Sequence, residues 1–410
     1  MIILDGGLGH QLRAVGAPFR QPEWSALALM EAPQFVREVH DQFIAAGADV
    51  ITTNSYAIVP FHIGEDRFEA QAGELLALAA KLASDAADAV SHKVYVAASV
   101  PPMFGSYQPD QFEVQGARRM MQQFRRHLAP VADIFIGETL SSVEEATTYL
   151  EVFADCAADL WLSVSLEDAD YEPDRPKLRS GEPLSELLLS IEGMRFDALL
   201  FNCSQPEVMA DAIKAGRAEL DAFTTQHGAA PPMIGVYGNA FPLMDDKYEG
   251  ANANIHQLRE DITPENYLHF ARYWAEIGAD IIGGCCGVSP DHISLLAKAL
   301  MQSLEAAASK RGEARSGSLL PVLSLPPVLS ASSRLRFSYG SSKVRADVSD
   351  QPTKLAVKGA GSSPALISIT AVSAETLRIV AMDYYLDVIL LGSIGNAHWV
   401  APNLLFGGRC

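Results

Sequence analysis

Cysteine is scarce in this 410-residue chain, which carries only Cys156, Cys203, Cys285, Cys286 and Cys410. Five unevenly spaced cysteines exclude a disulfide framework and point to a reducing compartment, the cytoplasm, where thiols stay free to bind metal or react. Long apolar runs are missing too. The most apolar late stretch, around Ile389 to Ile394, is far short of a bilayer span, and the opening MIILDGGLGHQL lacks the basic start and apolar block of a secretory signal. Neither membrane insertion nor export is therefore expected. Positive charge is short as well: 31 Lys+Arg stand against 50 Asp+Glu, a net of −19. Such a surface repels nucleic-acid phosphates and anionic lipid, so neither is expected as a partner. The histidines form no HExxH or HxH pair, and CxxC is absent.

What is present is a chain rich enough in apolar residues, 49%, to bury a sizeable core. Its charge divides it. Residues 306–410 carry 11 Lys+Arg against 6 Asp+Glu, whereas residues 1–305 carry 20 against 44. The later part opens with a Ser/Pro/Gly-rich run, KRGEARSGSLLPVLSLPPVLSASSRLRF, whose composition reads as linker or disorder. The expected division is a folded domain over 1–305 and an atypical, poorly structured extension over 306–410.

Residues 1–305 repeat a strand-then-helix rhythm. Short β-prone runs fall at Ile2–Leu4, Val50–Thr53, Val94–Ala98, Ile134–Ile136, Leu160–Val164, Ala198–Phe201, Met233–Tyr237 and Ile281–Gly283. Between them lie helical patterns, such as Phe35, Val36, Val39, Phe43 and Ile44. Ser142-x-x-Glu145 has the form of a capping box, and Thr263-Pro264 and Ser289-Pro290 each set an N-cap residue before a first-turn proline. Gly47-Ala48-Asp49 and Gly278-Ala279-Asp280 each end a helix and lead into a strand, a weak internal echo. Eight such units in about 300 residues predict an α/β protein of the (β/α)8 TIM-barrel type. An open doubly wound sheet is the alternative, but Asp5-Gly6-Gly7-Leu8-Gly9 falls short of the GxGxxG phosphate turn such a sheet carries.

In a barrel, functional groups gather at the C-terminal ends of the strands. That rule places Asp5, Gly6, Asn54, Tyr56, Glu138, Asn202, Cys203, Asn239, Cys285 and Cys286 on one face. Strands 6 and 8 are second neighbours, so Cys203 comes within reach of the Cys285–Cys286 pair. Three thiolates with one open position suit a catalytic rather than a structural metal site, and soft sulfur donors favour zinc. Spacing alone leaves two other readings open: packing of small apolar thiols, and a vicinal redox pair. Asp5 and Glu138 suit a ligand bearing an ammonium group, or serve a turn and a helix end. Trp24, Tyr56 and Tyr107 offer aromatic faces for a cation, or belong to the core.

The segments ILDGGLGHQL, AAGADVITTNSYA, IGETLSSVEEA, LRSGEPL, LLFNCSQPE, IGVYGNA and GADIIGGCCG run in order from residue 2 to about 287. Through them the chain resembles the homocysteine S-methyltransferase family, the zinc-dependent barrel enzymes that make methionine. The resemblance implies Zn2+ on Cys203, Cys285 and Cys286. It implies a pocket for the amino-acid end of homocysteine that includes Asp5, Gly6 and Glu138, with Asn202, Tyr237 and Asn239 nearby. The implied reaction moves a methyl group from a sulfonium donor, S-methylmethionine or S-adenosylmethionine, to the homocysteine thiol. Alternatives are a betaine-type donor, another thiol or a selenol as acceptor, and an inactive barrel serving as a scaffold. There is no cobalamin-binding DxHxxG, and nothing from 306 onward matches an extension of these enzymes. No feature of the sequence sets an oligomeric state.

Overall fold

A computed structural model describes residues 1–227, 231–243 and 257–300, together with five strands between 334 and 381. The chain divides into two compact units, Met1–Arg311 and Gly312–Cys410. The boundary expected near Ala306 lies outside the described residues.

The first unit is the expected barrel. Its strands are β1 (Ile2–Ile3), β2 (Val50–Thr52), β3 (Tyr95–Val100), β4 (Ile134–Leu140), β5 (Asp159–Val164), β6 (Ala198–Asn202), β7 (Met233–Tyr237) and β8 (Ile281–Ile282). They form one parallel sheet in the order β1-β8-β7-β6-β5-β4-β3-β2. A parallel bridge between Leu4 and Val50 joins the two ends of that order and closes the ring. Inside it, Leu4, Val50, Ile136, Trp161, Leu200 and Ile281 pack together, so the interior is a filled core and not a pore.

The helices that cover the outside are α1 (Leu8–Ala14), α2 (Ser25–Glu31), α3 (Pro33–Ala46), α4 (Pro60–Ile63), α5 (Glu65–Ala87), α6 (Val114–Leu128), α7 (Val143–Phe153), α8 (Leu184–Ser190), α9 (Met209–His227), α10 (Pro264–Glu276) and α11, over 290–300. Local chemistry sets their ends. Ser142 and Glu145 form both bonds of the capping box on α7, and the Thr263 side chain accepts from the Asn266 N–H at the start of α10. Gly47 and Gly278 take left-handed backbone, φ 101° and 106°, where the chain leaves α3 and α10.

The aspartates of the two Gly-Ala-Asp echoes belong to a fourfold device at the N-terminal end of the barrel. Asp49, Asp133, Asp197 and Asp280 stand just before β2, β4, β6 and β8. Each carboxylate accepts a backbone N–H from an adjacent strand: Ile3 at 2.8 Å, Val96 at 2.9 Å, Leu160 at 2.7 Å and Ile234 at 3.0 Å. Amides that a parallel sheet leaves unpaired at its start are thereby satisfied.

The second unit contributes β9 (Arg334–Tyr339) paired antiparallel with β10 (Ser342–Asp347), and β11 (Thr353–Val357), β12 (Ala365–Ser373) and β13 (Thr376–Ala381) in a three-stranded antiparallel sheet.

Candidate active site

β6 ends at Asn202, and the next residue, Cys203, takes left-handed backbone (φ 51°). Cys285 and Cys286 lie three and four residues beyond β8. The end of β7 ties the two segments together. The Cys203 N–H donates to the Tyr237 carbonyl (3.3 Å), the Cys285 N–H to that of Gly238 (2.9 Å), and the Ala240 N–H to that of Cys286 (2.8 Å). The three sulfurs all lie within 4.8 Å of one another, with Cys203 and Cys285 in contact at 2.7 Å. Four-coordinate zinc with sulfur at about 2.3 Å spaces its ligands about 3.8 Å apart. A small opening of the Cys203–Cys285 contact therefore seats such an ion, and the cluster fits a metal held by three thiolates. Cys285 and Cys286 both share protons with Cys203, and this holds the Cys203 thiol well below the usual thiol range against the opposing effect of burial. The same bonding to Cys203, together with burial, pushes Cys285 and Cys286 up.

Glycine at position 7 is required by the close approach of this cysteine turn. A Cβ there would meet the Cys285 carbonyl oxygen at 2.5 Å and the Cys286 Cα at 3.1 Å. At Gly6, a Cβ would meet the Val288 carbonyl oxygen at 2.4 Å and the Phe43 ring at 2.7 Å, so the start of the loop is pressed against the turn after β8 and against α3.

The cluster lies in a cavity of about 850 Å³ at the C-terminal ends of the strands. Asp5, Gly6, Glu138 and Tyr237 line it, as do Trp24, Tyr56 and Tyr107. Asp5 is buried and accepts from the Thr52 N–H (2.7 Å) and hydroxyl (3.0 Å); burial outweighs these bonds and pushes its carboxyl up to about 7. Glu138 accepts from the Ser99 hydroxyl and from the Tyr237 hydroxyl (3.3 Å). Burial first, then the charges of Cys203 and Asp5, bring it to about 7 as well. Two carboxyls poised near neutrality in one pocket suit a cation, whose charge would favour their ionised forms.

Two sequence expectations change in position. Glu138 was expected after a strand ending at Ile136, but β4 runs on to Leu140. Its register with β5 shifts between Gly137 and Leu140, and Thr139 sits there with φ 61°. This bulge aims Glu138 into the cavity. The helix-end reading of Glu138 goes with it, because α7 begins only at Val143 and its first-turn acids are Glu144 and Glu145.

Asn202 and Asn239 are buried but do not line the cavity. Asn202 accepts from the Thr139 N–H (2.9 Å) and the Ser163 hydroxyl (2.8 Å) and donates to the Thr139 hydroxyl (2.9 Å), so it braces the bulge. Asn239 accepts from the Phe241 N–H at 3.2 Å and shapes the turn after β7. Thr52, Ser99, Thr139 and Phe241 are site residues the sequence reading did not single out. Strand alternation from Asp5's neighbour β2 offers a signal for Thr52. Phe241 has none.

Backbone strain concentrates here. Among the described residues, five non-glycine residues have left-handed backbone, and four of them, Trp24, Tyr107, Thr139 and Cys203, line the cavity. Each such conformation costs on the order of 1–2 kcal/mol and persists only where its surroundings hold it.

Comparison with known proteins gives the same picture. The family model for homocysteine S-methyltransferase matches residues 2–300. Homocysteine S-methyltransferase 1 of Zea mays is 29% identical over 324 residues, covering 73% of this chain and 94% of the relative. Homocysteine S-methyltransferase of Escherichia coli (strain K12) is 28% identical over 315 residues, covering 72% and 94%. Among solved structures, the metallated form of the homocysteine methyltransferase MmuM from Escherichia coli matches with a TM-score of 0.57 and 26% identity, over 73% of this chain and 96% of that one. The chain belongs to the homocysteine S-methyltransferase family.

Proposed function

We propose that this member of the homocysteine S-methyltransferase family transfers a methyl group from a sulfonium donor, S-methylmethionine or S-adenosylmethionine, to the sulfur of L-homocysteine, giving methionine. The observation that carries the reading is the joint placement of three cysteines and two buried carboxyls around one cavity. Cys203, Cys285 and Cys286 would hold Zn2+. Zinc bound there would supply the Lewis acidity that keeps a substrate thiol deprotonated and nucleophilic near neutral pH, where a free thiol is mostly protonated.

The remaining residues bind and orient. Asp5 and Glu138 take the homocysteine ammonium group, each fixed by its own donors: Thr52 for Asp5, Ser99 and Tyr237 for Glu138. Gly6 keeps the loop beside them tight. Asn202 and Asn239 act one step back, through the Thr139 bulge and the turn after β7. Trp24 and Tyr56 present aromatic faces to the donor's positive charge, which is cancelled when the methyl group passes to the acceptor thiolate and the donor leaves as a neutral thioether. Edge-on rings of His10, Phe19 and His62 hold Trp24 in place, and Ser106 bonds the Tyr56 hydroxyl at 2.6 Å. Free thiols suit the reducing cytoplasm. Among the described residues no helix is long and apolar enough to cross a membrane.

The test offers homocysteine to zinc-loaded protein with S-methylmethionine, S-adenosylmethionine or betaine supplied separately, and measures methionine. Turnover with a sulfonium is expected. Turnover with betaine alone would replace the donor. Bound zinc without turnover on any of the three would move the reaction to another thiol or selenol. A protein purified under reducing conditions that takes up no zinc would favour a scaffold.

A further inference from the structure

A buried stack of side chains leads from behind the cavity to Cys203. The Arg179 guanidinium lies over the Tyr107 ring, 4.8 Å from its centroid. Behind it, both Asp168 carboxylate oxygens accept from Arg179, one of them at 3.1 Å, and the two side chains are only 10% and 5% exposed. Asp168 also accepts from the N–H of Gln205, two residues past Cys203, at 3.1 Å. The Arg179 N–H donates to the Ser165 carbonyl just after β5, which anchors the stack to the barrel. In front, the Tyr107 hydroxyl donates to the Cys203 carbonyl at 3.0 Å.

A buried ion pair adds little net stability, since desolvating two charges offsets their attraction. What it adds here is direction. Tyr107 and Cys203 both hold left-handed backbone, with φ 63° and 51°, and the hydrogen bond between them links the two strained residues. Asp168 holds the chain on the far side of Cys203. The cysteine is thus gripped by its carbonyl and through Gln205, both from one stack.

We propose that Tyr107, with Arg179 and Asp168 behind it, is a positioning unit of the metal centre: it fixes the backbone of Cys203, and through it the direction of the side chain, so that three thiolates meet at one point. The inference rests on the reading of Cys203 as a metal ligand. Partners of this kind, one step behind a ligand, typically change metal affinity by about 10–100-fold.

The experiment measures zinc affinity of the full chain by competition with a chromophoric chelator, alongside the thermal midpoint of the metal-free protein. Tyr107→Phe keeps the ring on Arg179 and removes only the hydroxyl. Arg179→Lys keeps a charge for Asp168 and removes the flat face. The expected result is about tenfold or greater loss of zinc affinity in Tyr107→Phe and a smaller loss in Arg179→Lys, with metal-free midpoints close to wild type. Affinity within about twofold of wild type in both variants would overturn the proposal. So would losses that simply track a falling metal-free midpoint, the behaviour of a structural staple. Wild type that takes up no zinc, with Cys203→Ser indistinguishable from it, would overturn the ligand reading itself and the positioning role with it.

Discussion

Replacing Asp5 by asparagine separates what the pocket costs from what it does. The Asp5 carboxyl is pushed by burial from an ordinary value of 3.8 up to about 7. Between about pH 4 and 7 the folded protein keeps a proton that the unfolded chain has released. The stability contributed by this group is therefore complete below about pH 4 and is lost as pH rises through 7. A gap of about three units corresponds to at most about 4 kcal/mol. Asparagine can accept the same Thr52 N–H and does not ionise. The stability of Asp5→Asn relative to wild type should thus rise by up to about 4 kcal/mol from pH 4 to pH 8; titrating groups that do not feel Asp5 cancel in the comparison, and Glu138, relieved of the Asp5 charge, titrates lower in the variant. At about 2 °C per kcal/mol the thermal midpoints diverge by about 8 °C. The assay is thermal unfolding of both proteins across that range with chelator present, because a nearby cation would lower the carboxyl. At pH 8 the variant should be the more stable protein and the poorer enzyme, with a homocysteine KM raised tenfold or more, since half the ammonium receptor is gone. A midpoint difference that stays flat with pH would refute the assignment of a costly buried carboxylate to Asp5.

Gly7→Ala should remove bound zinc although it alters none of the three thiols, because its Cβ meets the backbone of Cys285 and Cys286; zinc content after dialysis decides this, and a full complement would show that the turn gives way. A chain ended at Arg311 should keep zinc and methyl transfer at the full-length rate, since the family match ends at 300 and every cavity residue lies before 287; loss of activity in a folded truncate would assign the C-terminal unit a part in the reaction.

The features legible in the sequence are those that short stretches of chain determine. Each of the eight strands is a compact β-prone run between helical patterns, and all eight occur where the runs predict them. Cys203 and Cys285–Cys286 were readable because a residue just past an apolar strand must emerge at one end of a barrel, whatever its partners. Distant pairings were not readable in the same way. Glu138 was assigned to a loop because nothing in IFIGETL announces a bulge; the bulge exists because Asn202, 63 residues later, binds both the N–H and the hydroxyl of Thr139. Asn202 was placed near the pocket by resemblance, and nothing in LLFNCSQPE announces that it braces a bulge on another strand. The aspartates at the base of the barrel show where the limit falls. Asp49 and Asp280 drew notice through the glycine that ends the preceding helix, while Asp133 and Asp197 make the same bond without that glycine and passed unseen. The stack of Tyr107, Arg179 and Asp168 lies beyond that limit altogether, since only the closing of the ring brings an aromatic from the loop after β3 and a cation–acid pair from the loop after β5 to one cysteine.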